Sequence, residues 1–150
     1  RRVVHFNVTD SPSAKWTAQQ IVEAFTWDSA PRYLLRHRDG VCGREFCTRV
    51  EHMGITEVKT AARSPWQHPY LERLIGTLRR DCLDHMIVLN ENHLRRILRD
   101  YLTYYHGSRT HLSLNKDSPE SRSVEPSDHG KIVEFPMVGG LHHRYSRLAA

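Results

Sequence analysis

From Leu71 to Cys82 the apolar residues Leu71, Leu74, Ile75, Leu78 and Cys82 recur at i, i+3, i+4, i+7 and i+11, which predicts an amphipathic helix. Strand-like and helical segments alternate in front of it, and this alternation constrains the fold most. Val4, Phe6 and Val8 alternate with Val3, His5 and Asn7, the period of a strand, over residues 3–8. Ser11-Pro12 then reads as a cap and first-turn pair for a helix carrying Ala18, Ile21, Val22 and Phe25 on one face, to about Trp27. A second strand, 32–38, has Tyr33, Leu34 and Leu35 at its centre and delivers Asp39 to its tip, where Asp39-Gly40 makes a sharp turn. A short helix over 43–53 stops at Gly54, and a third strand over 55–61 leads into a loop fixed by Pro65 and Pro69. Strands separated by helices imply an α/β fold with an at least partly parallel sheet and helices on its faces.

Downstream, Asn90 caps a helix to about Tyr105, with Leu94, Ile97, Leu98 and Tyr101 on one side and Arg95, Arg96 and Arg99 on an exposed basic side. Beyond Gly107 the composition turns to Ser, Pro, Asp and Gly, and a small hairpin is expected around Gly139-Gly140. No apolar run approaches the ~18 residues of a membrane span. Lys and Arg outnumber Asp and Glu by 22 to 17, a balance that suits a polyanionic partner. Three cysteines without a CxxC pair point away from a disulfide framework and toward the cytoplasm. Cys42, Cys47 and His52 match no usual zinc spacing, Cys47 falls on an apolar helix face, and His142-His143 reads as a surface pair.

Two acidic residues stand where chemistry can be done. Asp39 ends a strand and Glu72 lies in the first turn of the helix after the proline-fixed loop. Hard divalent cations take oxygen ligands, and phosphoryl transfer by two such ions needs carboxylates brought from different elements. The residues also have plainer readings: Asp-Gly is a common turn pair, and a carboxylate suits a helix N-terminus.

The run Arg36-His37-Arg38-Asp39-Gly40, then Glu45-Phe46, Met53-Gly54-Ile55, and Arg63-Ser64-Pro65-Trp66-Gln67-His68-Pro69-Tyr70-Leu71-Glu72-Arg73 resembles the integrase catalytic core of insertion-sequence transposases. The segment Tyr104-Tyr105-His106-Gly107-Ser108-Arg109-Thr110-His111-Leu112-Ser113-Leu114 resembles a further signature of that family. His68, His106 and Thr110 depart from its pattern, and the spacing from Asp39 to Glu72 is slightly short. The likeness covers about residues 3–125. It implies a ribonuclease H-like mixed sheet flanked by helices, with residues 1–125 as a partial catalytic core and 126–150 as a C-terminal tail. It further implies a D, D, E triad in which Asp39 and Glu72 ligate Mg²⁺ or Mn²⁺, and metal-dependent cleavage and transfer of DNA strands. The partners implied are DNA, as transposon ends and target, and further copies of the protein, in the nucleoid-containing cytoplasm.

In that family the first Asp lies on the first strand, and this chain begins at what resembles the third. The first strands and first Asp are therefore expected to be missing, and this chain alone to be inactive. Asp10, leading into a helix cap, and Asp28, ending a helix, are poor replacements. Lys59, Arg63, Trp66, Arg73, Arg79 and Arg80 are the expected DNA-backbone contacts, an ordinary solvated face being the plainer reading. Two other functions remain open: a non-catalytic DNA-binding remnant of a mobile element, and a ribonuclease H-like nuclease that hydrolyses without joining.

Overall fold

Caps, turns and apolar periodicity set the order of elements in the computed structural model, which describes residues 2–25 and 29–148. The elements are α1 (Ala14–Ala24), β1 (Tyr33–Arg36), α2 (Arg44–His52), β2 (Thr56–Lys59), α3 (Pro69–Asp81), α4 (Glu91–Gly107), β3 (Lys131–Met137) and β4 (His142–Leu148), with short 3-10 turns between them. The chain divides into two units, Val4–Gly76 and Thr77–Ala150 with Arg1–Val3. The α/β class is as expected, with two small sheets among the described residues: β1 pairs with β2 in parallel and β3 with β4 antiparallel.

In the unit Val4–Gly76, α2 joins the parallel strands, because parallel neighbours need a crossover rather than a tight turn. Ala18 of α1, Phe46 and Val50 of α2 and Ile55 form the buried centre. Cys42 and Cys47 pack against it, as the apolar-face reading expected. Gly43 caps α2 where the backbone approaches α1 closely: a Cβ there would meet that of Ala14 at 3.0 Å. Gly54 ends α2 at a left-handed φ of 70°, which glycine adopts without steric cost.

Two expectations fail here. Residues 3–8 form no strand: the alternation is present, but no neighbouring backbone supplies a ladder. Instead, His5 Nε2 lies 2.9 Å from Gln20 Oε1 on α1, and Asn7 Nδ2 donates to the same oxygen at 2.8 Å. The cap of α1 is Ser13 rather than Ser11-Pro12, because the Ser13 hydroxyl accepts from Trp16 N–H at 3.2 Å. The Ser11 hydroxyl is spent on Asp10 at 2.9 Å. The helix closes at Ala24; Trp27, its expected end, and Asp28 lie outside the described residues.

In the other unit, Cys82, Ile97, Tyr101 and Val138 form the buried centre, with Leu78, Met86, Tyr104 and Leu141 packed against it. Asp81 ends α3, where the helix dipole disfavours a carboxylate. Arg109 compensates, donating from Nε to Asp81 Oδ2 at 3.0 Å. The hairpin is longer than expected and docks on this hub through His142, whose Nε2 lies 2.7 Å from the Asp81 carbonyl oxygen. The His142 ring stacks on Tyr104 with centroids 4.4 Å apart, so His142 is half-buried and holds the hairpin in place, where a surface pair was expected. On α4, Arg96 and Arg99 are exposed as expected, whereas Arg95 is half-buried and bonds Asn92. No helix among the described residues is long and apolar enough to cross a membrane.

Asn90 caps α4 as expected, accepting from His93 N–H at 2.8 Å. Asn90→Ala is expected to cost about 1 kcal/mol, seen as a lower urea midpoint with unchanged denaturant dependence. An unchanged midpoint would remove the cap from this account.

Candidate active site

A chain of polar contacts aligns the segments that carry Asp39 and Glu72, both in the unit Val4–Gly76. Beyond β1 and β2 the pairing continues: Thr60 N–H donates to the Arg36 carbonyl at 3.0 Å, and Arg38 Nε donates to the Thr60 carbonyl at 2.8 Å. Ala61 N–H then donates to Gln67 Oε1 at 2.8 Å, tying the exit of β2 to the 3-10 turn Pro65–Gln67. That turn delivers His68, whose carbonyl accepts from Glu72 N–H at 3.0 Å at the start of α3. Pro69 opens the helix, where a missing N–H costs nothing.

Across this junction the His37 ring lies against the His68 ring, centroids 4.2 Å apart, and His37 Nε2 is 3.8 Å from Glu72 Oε1. His37 stands two residues before Asp39, so the strand tip and the α3 N-terminus are neighbours. The His37 and Glu72 side chains are each 45% exposed, which makes their ion pair a weak tether. His68 is buried, and its Nε2 has no hydrogen-bond partner among the described residues.

Asp39 is exposed and does start a turn: its Oδ1 accepts from Val41 N–H at 3.2 Å and its carbonyl from Cys42 N–H at 3.1 Å. The plainer reading of Asp39 thus holds together with the functional one, since a turn that uses Oδ1 leaves Oδ2 available. Both carboxylates are oxygen donors open to solvent, and neither is paired with Lys or Arg among the described residues. In kind they suit Mg²⁺ or Mn²⁺. In number they fall short: among the described residues no group of three or more His, Cys, Asp or Glu is arranged to hold a metal ion.

The expected DNA contacts divide between the two units. In Val4–Gly76, Lys59 is exposed but pairs with Glu57 at 3.1 Å, a carboxylate also held by Arg36. Burial pushes the Glu57 carboxyl up, but the hydrogen bonds from Arg36 and Lys59 outweigh it and hold the group below the usual range. Arg63 takes a left-handed φ of 54°, Trp66 is 71% exposed, and Arg73 is exposed on α3. Arg79 and Arg80 are exposed in the other unit, Arg79 with a long contact of 3.4 Å to Asp84.

Sequence reasoning missed His37 as a neighbour of Glu72, and it noted His68 only as a departure from a motif. Their separation in sequence gives no hint of ring contact. The Tyr104–Leu114 motif carries structure: Arg109 lies over the Tyr105 ring at 5.9 Å while bonding Asp81, and His111 meets that ring edge-on at 4.9 Å. Asp81 did carry a signal, as an acid at the end of a predicted helix, where the dipole disfavours a carboxylate.

Comparison with known sequences ties part of this arrangement to a family. Residues 53–119 match the family model described as "Integrase core domain", a span that includes Glu72 and the Tyr104–Leu114 motif and starts after Asp39. Neither the curated proteins nor the solved structures gave a match. Over residues 53–119, then, the chain is similar to an integrase core domain.

Proposed function

We propose that this chain contributes to a DNA transposase or integrase of ribonuclease H-like fold, with Asp39 and Glu72 as ligands of Mg²⁺ or Mn²⁺ in strand cleavage and transfer. One observation carries the reading: the 3.8 Å approach of His37 to Glu72, which sets the Asp39 turn beside the first turn of α3. Residues 1–125 belong to the core and 126–150 to the tail. Bound cations would activate the attacking oxygen and offset charge on the phosphodiester. Asp39 and Glu72 supply the anionic oxygens, and Arg63, Trp66 and Arg73, with Lys59, Arg79 and Arg80, hold the DNA backbone. Transposon ends and target DNA are the substrates, met in the nucleoid by an oligomer of the protein.

Two carboxylates compensate a pair of divalent cations poorly, so strand transfer by this chain alone is expected to be slow or absent. The lack of a third ligating group among the described residues also favours a second reading, a DNA-binding remnant without chemistry. Both readings require duplex DNA binding, which falls with salt at about −0.9 in log–log slope per neutralised phosphate. Arg63→Ala with Arg73→Ala is expected to reduce that slope by about 2 and to weaken binding equally across sequences. Fluorescence anisotropy at several salt concentrations measures this. A chain that binds no duplex at low salt would sink both readings, and only cation binding, treated below, separates them.

A further inference from the structure

The tail and the loop before it line an open cavity of about 310 Å³ that the proposed chemistry does not use. Its construction starts at the turn after α4. His111 and Asp117 form an isolated antiparallel bridge, His111 N–H donating to the Asp117 carbonyl at 2.9 Å and Lys116 N–H to the His111 carbonyl at 3.0 Å. Between them Asn115 and Lys116 take left-handed φ values of 54° and 66°. Asparagine tolerates that conformation. Lysine pays on the order of 1 kcal/mol for it, and Lys116 lines the cavity with no salt bridge among the described residues.

The segment 122–125 then lies along the outer edge of β4. Arg122 donates to the Tyr145 carbonyl at 2.9 Å, and Glu125 accepts from the Ser146 hydroxyl and the Arg147 N–H. By the register of the hairpin, Ile132, Tyr145 and Arg147 share one of its faces. All three line the cavity, with Ile132 63% and Tyr145 55% exposed. An aromatic and an aliphatic wall therefore stand beside Lys116, Arg122 and Arg147.

Two carboxylates also line this space, and their charge must be weighed. Asp117 accepts from Ser118 N–H at 2.7 Å and the Ser121 hydroxyl at 2.6 Å, and Glu125 is held by Ser146 and Arg147. Both are thus occupied by hydroxyl and amide donors of the wall. The bonds given by Arg122 to Tyr145 and by Arg147 to Gly130 end on neutral carbonyls, while the charge of Arg122 also acts on Asp117 and Glu125 and helps to hold both below the usual carboxylate range. Three cations face two ionised carboxylates, an excess of one positive charge that admits an anion.

We propose that this cavity binds one nucleotide of a single-stranded DNA segment, its base against Tyr145 and Ile132 and its phosphate at Lys116 and Arg122. The volume sits at the lower end of the range for ligand sites, about 300–1,000 Å³, which accepts a nucleotide unit and excludes a duplex. Base stacking on an aromatic ring with a cation at the backbone is the general chemistry of single-strand binding, and it tolerates any base. The choice of DNA among phosphorylated aromatic ligands rests on the function proposed above.

The test compares the intact chain with its Tyr145→Ala, Tyr145→Phe and Lys116→Ala variants, using a fluorescent oligothymidylate and a duplex of equal length. Tyr145→Ala is expected to weaken single-strand binding about five-fold or more while Tyr145→Phe restores it. Lys116→Ala is expected to lower the single-strand salt slope by about 0.7. Duplex binding, carried by Arg63 and Arg73, stays unchanged in all three. Wild-type single-strand affinity in Tyr145→Ala, or an equal loss for duplex and single strand, would overturn the pocket. Loss of duplex binding by the unaltered chain would overturn the function proposed above, so the two failures are told apart.

Discussion

Glu72→Gln is expected to weaken Mn²⁺ binding by about 100-fold or more, since removing even a hydrogen-bond partner of a ligand usually costs about 10–100-fold. Asp39→Asn should do the same. The amides keep the size of the side chains and leave the fold intact, because both positions are exposed and Glu72 makes one long contact, to His37 at 3.8 Å. Isothermal titration with Mn²⁺ reads the effect, with circular dichroism as the check on folding. If both variants bind Mn²⁺ like the unaltered chain, Asp39 and Glu72 are a turn residue and a helix-start residue and nothing more. Failure of the unaltered chain to bind Mn²⁺ while it still binds duplex DNA would select the non-catalytic reading.

Tyr101→Ala is expected to destabilise the unit Thr77–Ala150 by about 3–5 kcal/mol, the largest effect on stability anticipated for this chain. Tyr101 is fully buried, and its ring touches Tyr104, Tyr105 and His142 with centroids about 6 Å apart. Truncation therefore opens a cavity beneath the attachment of the hairpin. Burial, with Asp81 beside it, pushes the phenol up. Its hydroxyl reaches Asp81 Oδ2 at only 3.4 Å, so Tyr101→Phe should cost under about 1 kcal/mol. Urea denaturation of the two variants separates packing from hydrogen bonding. Equal losses would show that the hydroxyl, not the ring, holds this centre.

The parts of the fold that were legible in the sequence are those set by local chemistry. Asn90 caps α4, Gly54 stops α2, and the repeat that starts at Leu71 lies on α3, because capping, left-handed termination and amphipathic period act within a turn or two. The alternation of Val4, Phe6 and Val8 misled because a strand is completed by its neighbour. Side-chain bonds from His5 and Asn7 to Gln20 give that segment a different role. At the candidate site Glu72 stands in the first turn of α3 as expected, whereas β1 ends at Arg36 and Asp39 starts a turn beyond it instead of closing a strand over 32–38. The imidazoles were not legible, since the His37–His68 contact joins a strand exit to a helix entrance across the parallel pair. His142 was misread for the same reason: only its docking on Asp81 and Tyr104 shows that the tail is fastened.

The proposed function rests on two carboxylates meeting at one cation, and diffraction from crystals of this chain soaked in Mn²⁺ examines that most directly. The account predicts an anomalous peak coordinated by oxygens of both Asp39 and Glu72, absent from crystals of Glu72→Gln. A Mn²⁺ ion bound elsewhere, or side chains at 39 and 72 too far apart to share one, would contradict it.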